Sequence, residues 1–244
     1  MESLRLLPAA RSYWSERARR SGCFAATRDL LLLLWDFLLD SRPSRLKTRF
    51  GDADYDWDFR VNTTSGAVAW KDRLLGAFHS PYQPTDPALF REMLDALRHS
   101  ADLNLAQFTF IDLGSGKGRA LLMASDYPLR RIVGVELLPA LHAIAQQNLA
   151  AYKNHSQQCF ALESICADAT AYRFPAGPLL IYLFNPFPES GLRRVIDNLR
   201  QSLREDPRPV YMLYHNPQLE PVLNQSGYFT KIAGTHQYSI FAAA

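Results

Sequence analysis

The stretch Phe108-Thr109-Phe110-Ile111-Asp112-Leu113-Gly114-Ser115-Gly116-Lys117-Gly118-Arg119 decides the fold. It reads as a buried strand that carries an acid near its end and then breaks, through the alternating glycines 114, 116 and 118, into a tight turn and a helix. Glycine lacks a Cβ, so the backbone turns sharply and approaches a ligand closely, and the following helix starts with free N–H groups. The G-x-G-x-G spacing differs from the G-x-G-x-x-G of dinucleotide sites and suits an adenosine-bearing ligand. Lys117 is expected to be a solvated side chain at the helix start. The turn has neither the Walker spacing nor the following Ser or Thr of a phosphate-binding loop.

Outward from this turn, strand and helix patterns alternate as a parallel sheet requires. Strands are expected near 108–113, 131–136, 159–166, 178–184 and 209–214. Helices are expected near 117–126, 139–152, 189–204 and 217–226. A further helix over 86–99 is announced by Asp86 as N-cap and Pro87 in the first turn. Two strands joined by a tight turn follow at 227–234 and 236–242. The predicted fold class is therefore α/β, a doubly wound, mostly parallel sheet with a C-terminal antiparallel hairpin. Glu136 ends a β-branched strand some twenty residues past the glycine turn, where such folds place an acid for both ribose hydroxyls. Asp168, after the stretch 160–166, reads either as a turn or helix cap or as a ligand.

Four segments in order, Asp112-Leu-Gly-Ser-Gly-Lys-Gly118, Ile132-Val-Gly-Val-Glu136, Cys166-Ala-Asp168-Ala169 and Leu183-Phe-Asn185-Pro186-Phe187, resemble the successive motifs of class I S-adenosylmethionine-dependent methyltransferases. The resemblance covers about residues 78–242. It implies a seven-stranded Rossmann-like sheet, S-adenosylmethionine as cofactor and S-adenosylhomocysteine as product. It places Gly114, Ser115, Gly116 and Gly118 around the cofactor, with Asp112 on its ammonium and near the sulfonium. Glu136 would take the ribose, Asp168 the adenine amine, and Ala169 the ring.

Two further segments bear on chemistry. His79-Ser80-Pro81-Tyr82-Gln83-Pro84-Thr85 reads as a rigid turn, and resembles the Tyr-x-Pro-Thr loop of seven-strand lysine methyltransferases. That likeness implies a lid, with Tyr82 near the sulfonium and Thr85 reaching the cofactor carboxylate. Asn185-Pro186-Phe187-Pro188 reads as a strand-ending turn or, at the switch point of the sheet, as the place where an acceptor enters. There Asn185 and adjacent backbone accept the protons of an attacking amine, and Phe187 walls off water. The segment lacks the second proline of the Asn-Pro-Pro-Phe or Tyr motif of adenine amino-methyltransferases. A similar Asn-x-Phe occurs in Dot-type histone lysine methyltransferases and in the small lysine enzymes of ATP synthase subunits. The resemblance thus implies a protein lysine as acceptor. Its alternatives are a small-molecule N- or O-methyltransferase and a cofactor-binding regulator without turnover.

Composition bounds the rest. At 244 residues, 48% hydrophobic and 21% charged, the chain has ordinary globular usage. Residues 1–50 hold ten Lys and Arg against five acids, a net +5; the remainder holds seventeen against nineteen, a net −2. A nearly neutral catalytic region argues against nucleic acid as partner. Three cysteines, Cys23, Cys159 and Cys166, form neither a zinc pattern nor a disulfide framework, and point to a reduced, cytoplasmic setting. No metal is expected. The division expected is 1–77, a basic and apolar helical extension with an acidic-aromatic loop, and 78–244, the methyltransferase domain. The apolar run 30–39 is too short to span a bilayer, which needs about 20 residues. It reads as a helix packed on the domain or a partner, with peripheral membrane contact through residues 28–42 as the alternative. The acidic stretch Asp52-Ala-Asp54-Tyr-Asp56-Trp-Asp58, followed by Thr63-Thr64-Ser65-Gly66, reads as a solvated loop or as the wall of a channel for a cationic acceptor. His215, ending the fifth strand, reads as a core histidine or a proton acceptor facing the crevice.

Overall fold

The computed structural model describes residues 3–40, 53–64 and 82–243. His79, Ser80 and Pro81 of the proline-framed loop, together with Arg42, Asp52, Ser65 and Gly66, lie outside the described residues. The chain divides into two compact units: 1–55 with 64–83, and 56–63 with 84–244.

In the first unit, α1 (Ser3–Ser21) and α2 (Cys23–Asp40) form a helical hairpin turned by Gly22 in the left-handed region, φ 84°. Trp14 Nε1 donates to Thr27 Oγ1 at 3.1 Å, and Arg17 pairs with Asp29 at 2.9 Å, so polar bonds tie the helices together. Among the described residues no helix is long and apolar enough to cross a membrane. A third helix, α3 (Ala53–Phe59), occupies the acidic-aromatic stretch. The loop or channel wall expected there is replaced by a helix, and its register turns Asp56 toward the second unit's own residues.

The second unit is a seven-stranded sheet: β1 (Thr109–Leu113), β2 (Arg131–Glu136), β3 (Leu162–Cys166), β4 (Leu179–Phe184), β5 (Val210–His215), β6 (Phe229–Gly234) and β7 (Tyr238–Ala243). Their order is β3-β2-β1-β4-β5-β7-β6. All pairs through β5 are parallel, and β7 runs antiparallel between β5 and β6. The fold class expected from the sequence is the one observed.

The flanking helices are α4 (Pro87–Ser100), α5 (Arg119–Ala124), α6 (Pro139–Ala151), α7 (Glu189–Glu205) and α8 (Glu220–Gln225). Helices α4 and α7 each bury residues at i, i+3, i+4 and i+7: Phe90, Met93, Leu94 and Leu97 in one, Leu192, Val195, Ile196 and Leu199 in the other. With helices on both faces, β1 is buried at all five positions. The Asp86 carboxylate caps α4, accepting from Ala88 N and Leu89 N at 2.9 Å each.

Strand β3 and helix α5 are shorter than expected for local reasons. Strand β3 starts at Leu162 because the amides of Gln158 and Cys159 bond the Ser125 carbonyl instead of the sheet. Helix α5 stops at Ala124, where the Ser125 hydroxyl bonds the Leu122 carbonyl and Pro128 follows shortly.

Candidate active site

Strand order reverses between β1 and β4, and ligands of open α/β sheets bind outside the carboxyl ends of strands at such a point. The glycine turn and the Asn-Pro turn meet there. A Cβ on Gly114 would stand 2.6 Å from Pro186 Cβ, so only glycine allows this approach. Gly114, Gly116 and Gly118 all have positive φ, at 87°, 56° and 85°.

Much of the turn's hydrogen bonding is internal. The amides of Gly114 and Ser115 both donate to the Val135 carbonyl, at 2.8 and 3.2 Å. The Glu136 carboxylate accepts from Gly116 N at 2.8 Å through one oxygen and from Leu138 N at 2.7 Å through the other. It therefore holds the glycine turn as well as facing the crevice, and each oxygen keeps a further acceptor site. Ser115 is buried, and its Oγ, without a hydrogen-bond partner among the described residues, lies near Gly134, where a Cβ would sit 2.6 Å away. The close α5–β2 packing needs that glycine.

Register puts Asp112, Glu136, Tyr182, Phe184 and His215 on one face of the sheet, at its carboxyl end. Asp112 is buried, and among the described residues no hydrogen bond reaches its carboxylate. Burial, reinforced by the charge of Glu136, holds its pKa well above the usual carboxylate range. Burial also raises the pKa of Glu136, against backbone N–H bonds from Leu138, Gly116 and Leu137. Two buried carboxylates on one crevice floor favour a cation and oppose a phosphate.

Next to them lies a polar cluster that the sequence did not announce. The Tyr182 hydroxyl is 2.7 Å from Thr85 Oγ1 and 2.9 Å from His215 Nδ1. All three residues are buried. Desolvation lowers the His215 pKa to about 4 against a raising influence from Asp86, so the ring is neutral at pH 7. Phe184 stacks on it, with centroids 3.7 Å apart. His215 is thus both buried and at the crevice end of β5.

On the other face, Asn185 stands at the end of β4 with φ 45°, a left-handed conformation that Asn tolerates better than most residues. Its Oδ1 accepts the Tyr214 hydroxyl at 3.0 Å, and that hydroxyl oxygen accepts Leu219 N at 3.2 Å. Burial pushes the Tyr214 pKa to about 12. Tyr214 was missed in the sequence because a strand aromatic reads as core. Phe187 packs on the hydrophobic core, its Cβ 3.2 Å from where a Cβ on Gly191 would lie.

Asp168 is exposed, and its side chain accepts Thr170 N at 2.8 Å, capping a short turn over Ala169–Ala171. This is the cap reading of that residue, with its second oxygen still open. Ala169 is buried in the core beneath. Tyr82 is half-buried and belongs to the first unit.

Lys117 corrects an expectation: it is fully buried. Its Nζ donates to Asn62 Oδ1 at 3.0 Å, and desolvation lowers its pKa to about 8, opposed by Asp56 and aided by Arg119. Arg119 Nε donates to Thr63 Oγ1 at 2.6 Å, and its guanidinium pairs with Asp56 at 3.4 Å. Asp56 also accepts Thr63 N at 2.7 Å and bonds the Thr63 hydroxyl. Asn148 of α6 completes the joint, donating to the carbonyls of Asn62 at 2.9 Å and Lys117 at 2.8 Å. Both cations of the glycine turn thus bond segment 56–63.

No protein-family model and no curated protein matches the sequence. Solved structures do match in part. An RNA methyltransferase from Salinibacter ruber, in complex with S-adenosyl-L-homocysteine, is 18% identical over 66% of this chain and 92% of its own, with a TM-score of 0.41. The glycopeptide N-methyltransferase MtfA, complexed with S-adenosyl-L-methionine, is 11% identical over 64% and 93%, with a TM-score of 0.48. A ribosomal protein L11 methylase from Lactobacillus delbrueckii subsp. bulgaricus is 14% identical over 66% and 79%, with a TM-score of 0.45. At such distances the chemistry of this chain has to be argued from its own residues.

Proposed function

We propose that the protein is an S-adenosylmethionine-dependent methyltransferase whose acceptor is a nitrogen, that of a protein lysine side chain. One observation carries the reading. A buried carboxylate that accepts no hydrogen bond among the described residues, Asp112, lies beside Glu136 under a glycine turn that abuts the Asn185-Pro186 turn. A desolvated acid pair fits an ammonium and a sulfonium, and does not fit the pyrophosphate of a dinucleotide.

In this reading Asp112 binds the cofactor ammonium. Glu136 accepts the ribose hydroxyls through the lone pairs left after its backbone bonds, and the open oxygen of Asp168 takes the adenine amine. Thr85 and Tyr82 are carried over from the loop resemblance as further cofactor contacts. When bound, the cofactor supplies an electrophilic methyl group, transferred as the acceptor lone pair forms the new N–C bond and the C–S pair stays on sulfur. Asn185, held by Tyr214, orients that nitrogen by accepting its proton through Oδ1, and the released proton passes to solvent. The Phe184 and His215 rings supply a dry wall, which favours a neutral amine. The Asn-x-Phe order and the near-neutral charge of residues 51–244 favour a lysine over a nucleic-acid base.

Radiolabelled cofactor incubated with the protein and a cell lysate tests this. Protease-sensitive label that hydrolyses to methyl-lysine is expected. RNase-sensitive label would replace the acceptor class, label in small molecules would favour the small-molecule alternative, and S-adenosylhomocysteine binding without any transfer would make the chain a cofactor-binding regulator. Binding of NADH but not S-adenosylhomocysteine would overturn the whole reading.

A further inference from the structure

The α1–α2 hairpin carries an apolar face that its own packing leaves uncovered. Along α2, Phe24, Leu31, Trp35 and Leu38 follow one another at seven-, four- and three-residue steps, which places them on one side of the helix. They are 89%, 62%, 59% and 61% exposed, and Leu7 of α1 is 77% exposed. The opposite side of α2, with Ala26 fully buried and Leu30, Leu33 and Leu34 half-buried, is the side used for packing. The interhelical bonds of Trp14 and Arg17 to Thr27 and Asp29 fix that choice of sides.

Charge says what covers the exposed side. From Ser3 to Asp40 the hairpin has six arginines (5, 11, 17, 19, 20 and 28) and four acids (16, 29, 36 and 40), a net +2; Glu16 pairs with Arg20 at 2.9 Å, and Asp29 with Arg17 at 2.9 Å and Arg28 at 3.1 Å. The hairpin that carries the apolar stripe is thus net cationic, with its arginines in α1 and the first turns of α2. Arg28 lies in the stripe itself, one turn after Phe24, with its side chain 64% exposed. A seam between two copies of the chain would take that guanidinium out of water. A bilayer surface lets it reach the headgroup phosphates while its stem stays with the apolar side chains. Trp35 suits the same boundary, since an indole has an apolar body and one N–H.

We propose that the α1–α2 hairpin lies flat on an anionic lipid bilayer, inserting the Phe24, Leu31, Trp35 and Leu38 stripe to the depth of the headgroups while its arginines bind lipid phosphates. The hairpin is a surface anchor, too short in its apolar run to span. This anchor would hold the protein beside acceptors that reside at membranes.

The test uses the full chain with vesicles of pure phosphatidylcholine and of phosphatidylcholine with about one third phosphatidylserine. Co-sedimentation is expected with the anionic vesicles, at least about 10-fold weaker with neutral ones, and weaker in high salt, as screening demands. Leu31→Gln combined with Trp35→Gln changes only exposed side chains. It is expected to lower the binding about 10-fold or more, with helix content by circular dichroism and melting temperature unchanged. A folded wild-type chain that ignores anionic vesicles overturns the proposal. So does equal binding by the double variant. Concentration-dependent dimerisation that the double variant abolishes, without lipid binding, would assign the stripe to a second copy. None of these readouts depends on methyl transfer.

Discussion

Replacing Glu136 by Gln separates two duties that the structure assigns to one side chain. The carboxylate accepts Gly116 N at 2.8 Å and Leu138 N at 2.7 Å, one per oxygen. Gln keeps the size but offers one carbonyl oxygen, so its NH2 must face one of those two donors. A hydrogen bond to a charged group is worth about 1.5–3 kcal/mol. Part of that is recovered because burial already disfavours the charge at this position. For a domain of this size each kcal/mol moves the melting temperature by about 2–4 °C, so the ligand-free variant is expected to melt roughly 3–6 °C lower. Its affinity for S-adenosylhomocysteine, measured by calorimetry well below the melting range, is expected to fall about 10- to 100-fold for one weakened charged bond. An unchanged melting temperature would refute the claim that Glu136 holds the glycine turn. An unchanged dissociation constant would remove it from the cofactor site.

Three other outcomes follow from the same face and its neighbour. Asp112→Asn is expected to raise the ligand-free melting temperature at pH 7 and to weaken S-adenosylhomocysteine binding. The folded pKa is raised, so the stability this acid contributes is present below its unfolded pKa of about 4 and is lost as pH rises through the folded pKa; the gain on substitution must shrink toward pH 4 in a pH series of melting curves. His215 has its pKa lowered to about 4, so the stability of its neutral form is complete above the unfolded pKa of about 6.5 and is lost as pH falls toward 4, by about 3 kcal/mol at most. His215→Gln should flatten that acid limb in denaturant titrations, and an unaltered limb would show that other groups carry it. Tyr214→Phe removes the bond at 3.0 Å to Asn185 and is expected to lower kcat about 10-fold with S-adenosylhomocysteine affinity unchanged. A wild-type rate would mean that Asn185 does not orient the acceptor, or needs no support to do so.

Residues whose role lies in the backbone were legible in the chain. The three glycines, the acid at the end of β2, the proline after Asp86 and the β-hairpin of the tail each leave a local signature, because a positive φ, a strand end or a cap restricts residue type wherever it occurs. What escaped was side-chain pairing across long sequence separations. Lys117 looked solvated because nothing near it in sequence predicts Asn62, 55 residues upstream. The alternating acids around Asp56 read as a loop or a channel wall, whereas a helix puts Asp56 opposite Arg119. Thr85, Tyr182 and His215 come from three elements and meet only through register. Tyr214 reads as one more strand aromatic until its hydroxyl is seen on Asn185.

The joint between residues 56–63 and the glycine turn bears on where the catalytic fragment can be cut. Arg119 is buried, and its partners Thr63 and Asp56 come from a segment that precedes the sheet by more than forty residues of chain. A fragment that begins after Thr64 keeps every strand, yet takes Thr63 and Asp56 away from that buried guanidinium. It also removes Asn62, which bonds Lys117 Nζ and Asn148 Nδ2 beside the turn. The smallest piece that folds with a shaped turn therefore starts ahead of α3, and a domain boundary drawn from the sheet alone would yield a protein that is expressed, binds poorly and is mistaken for inactive.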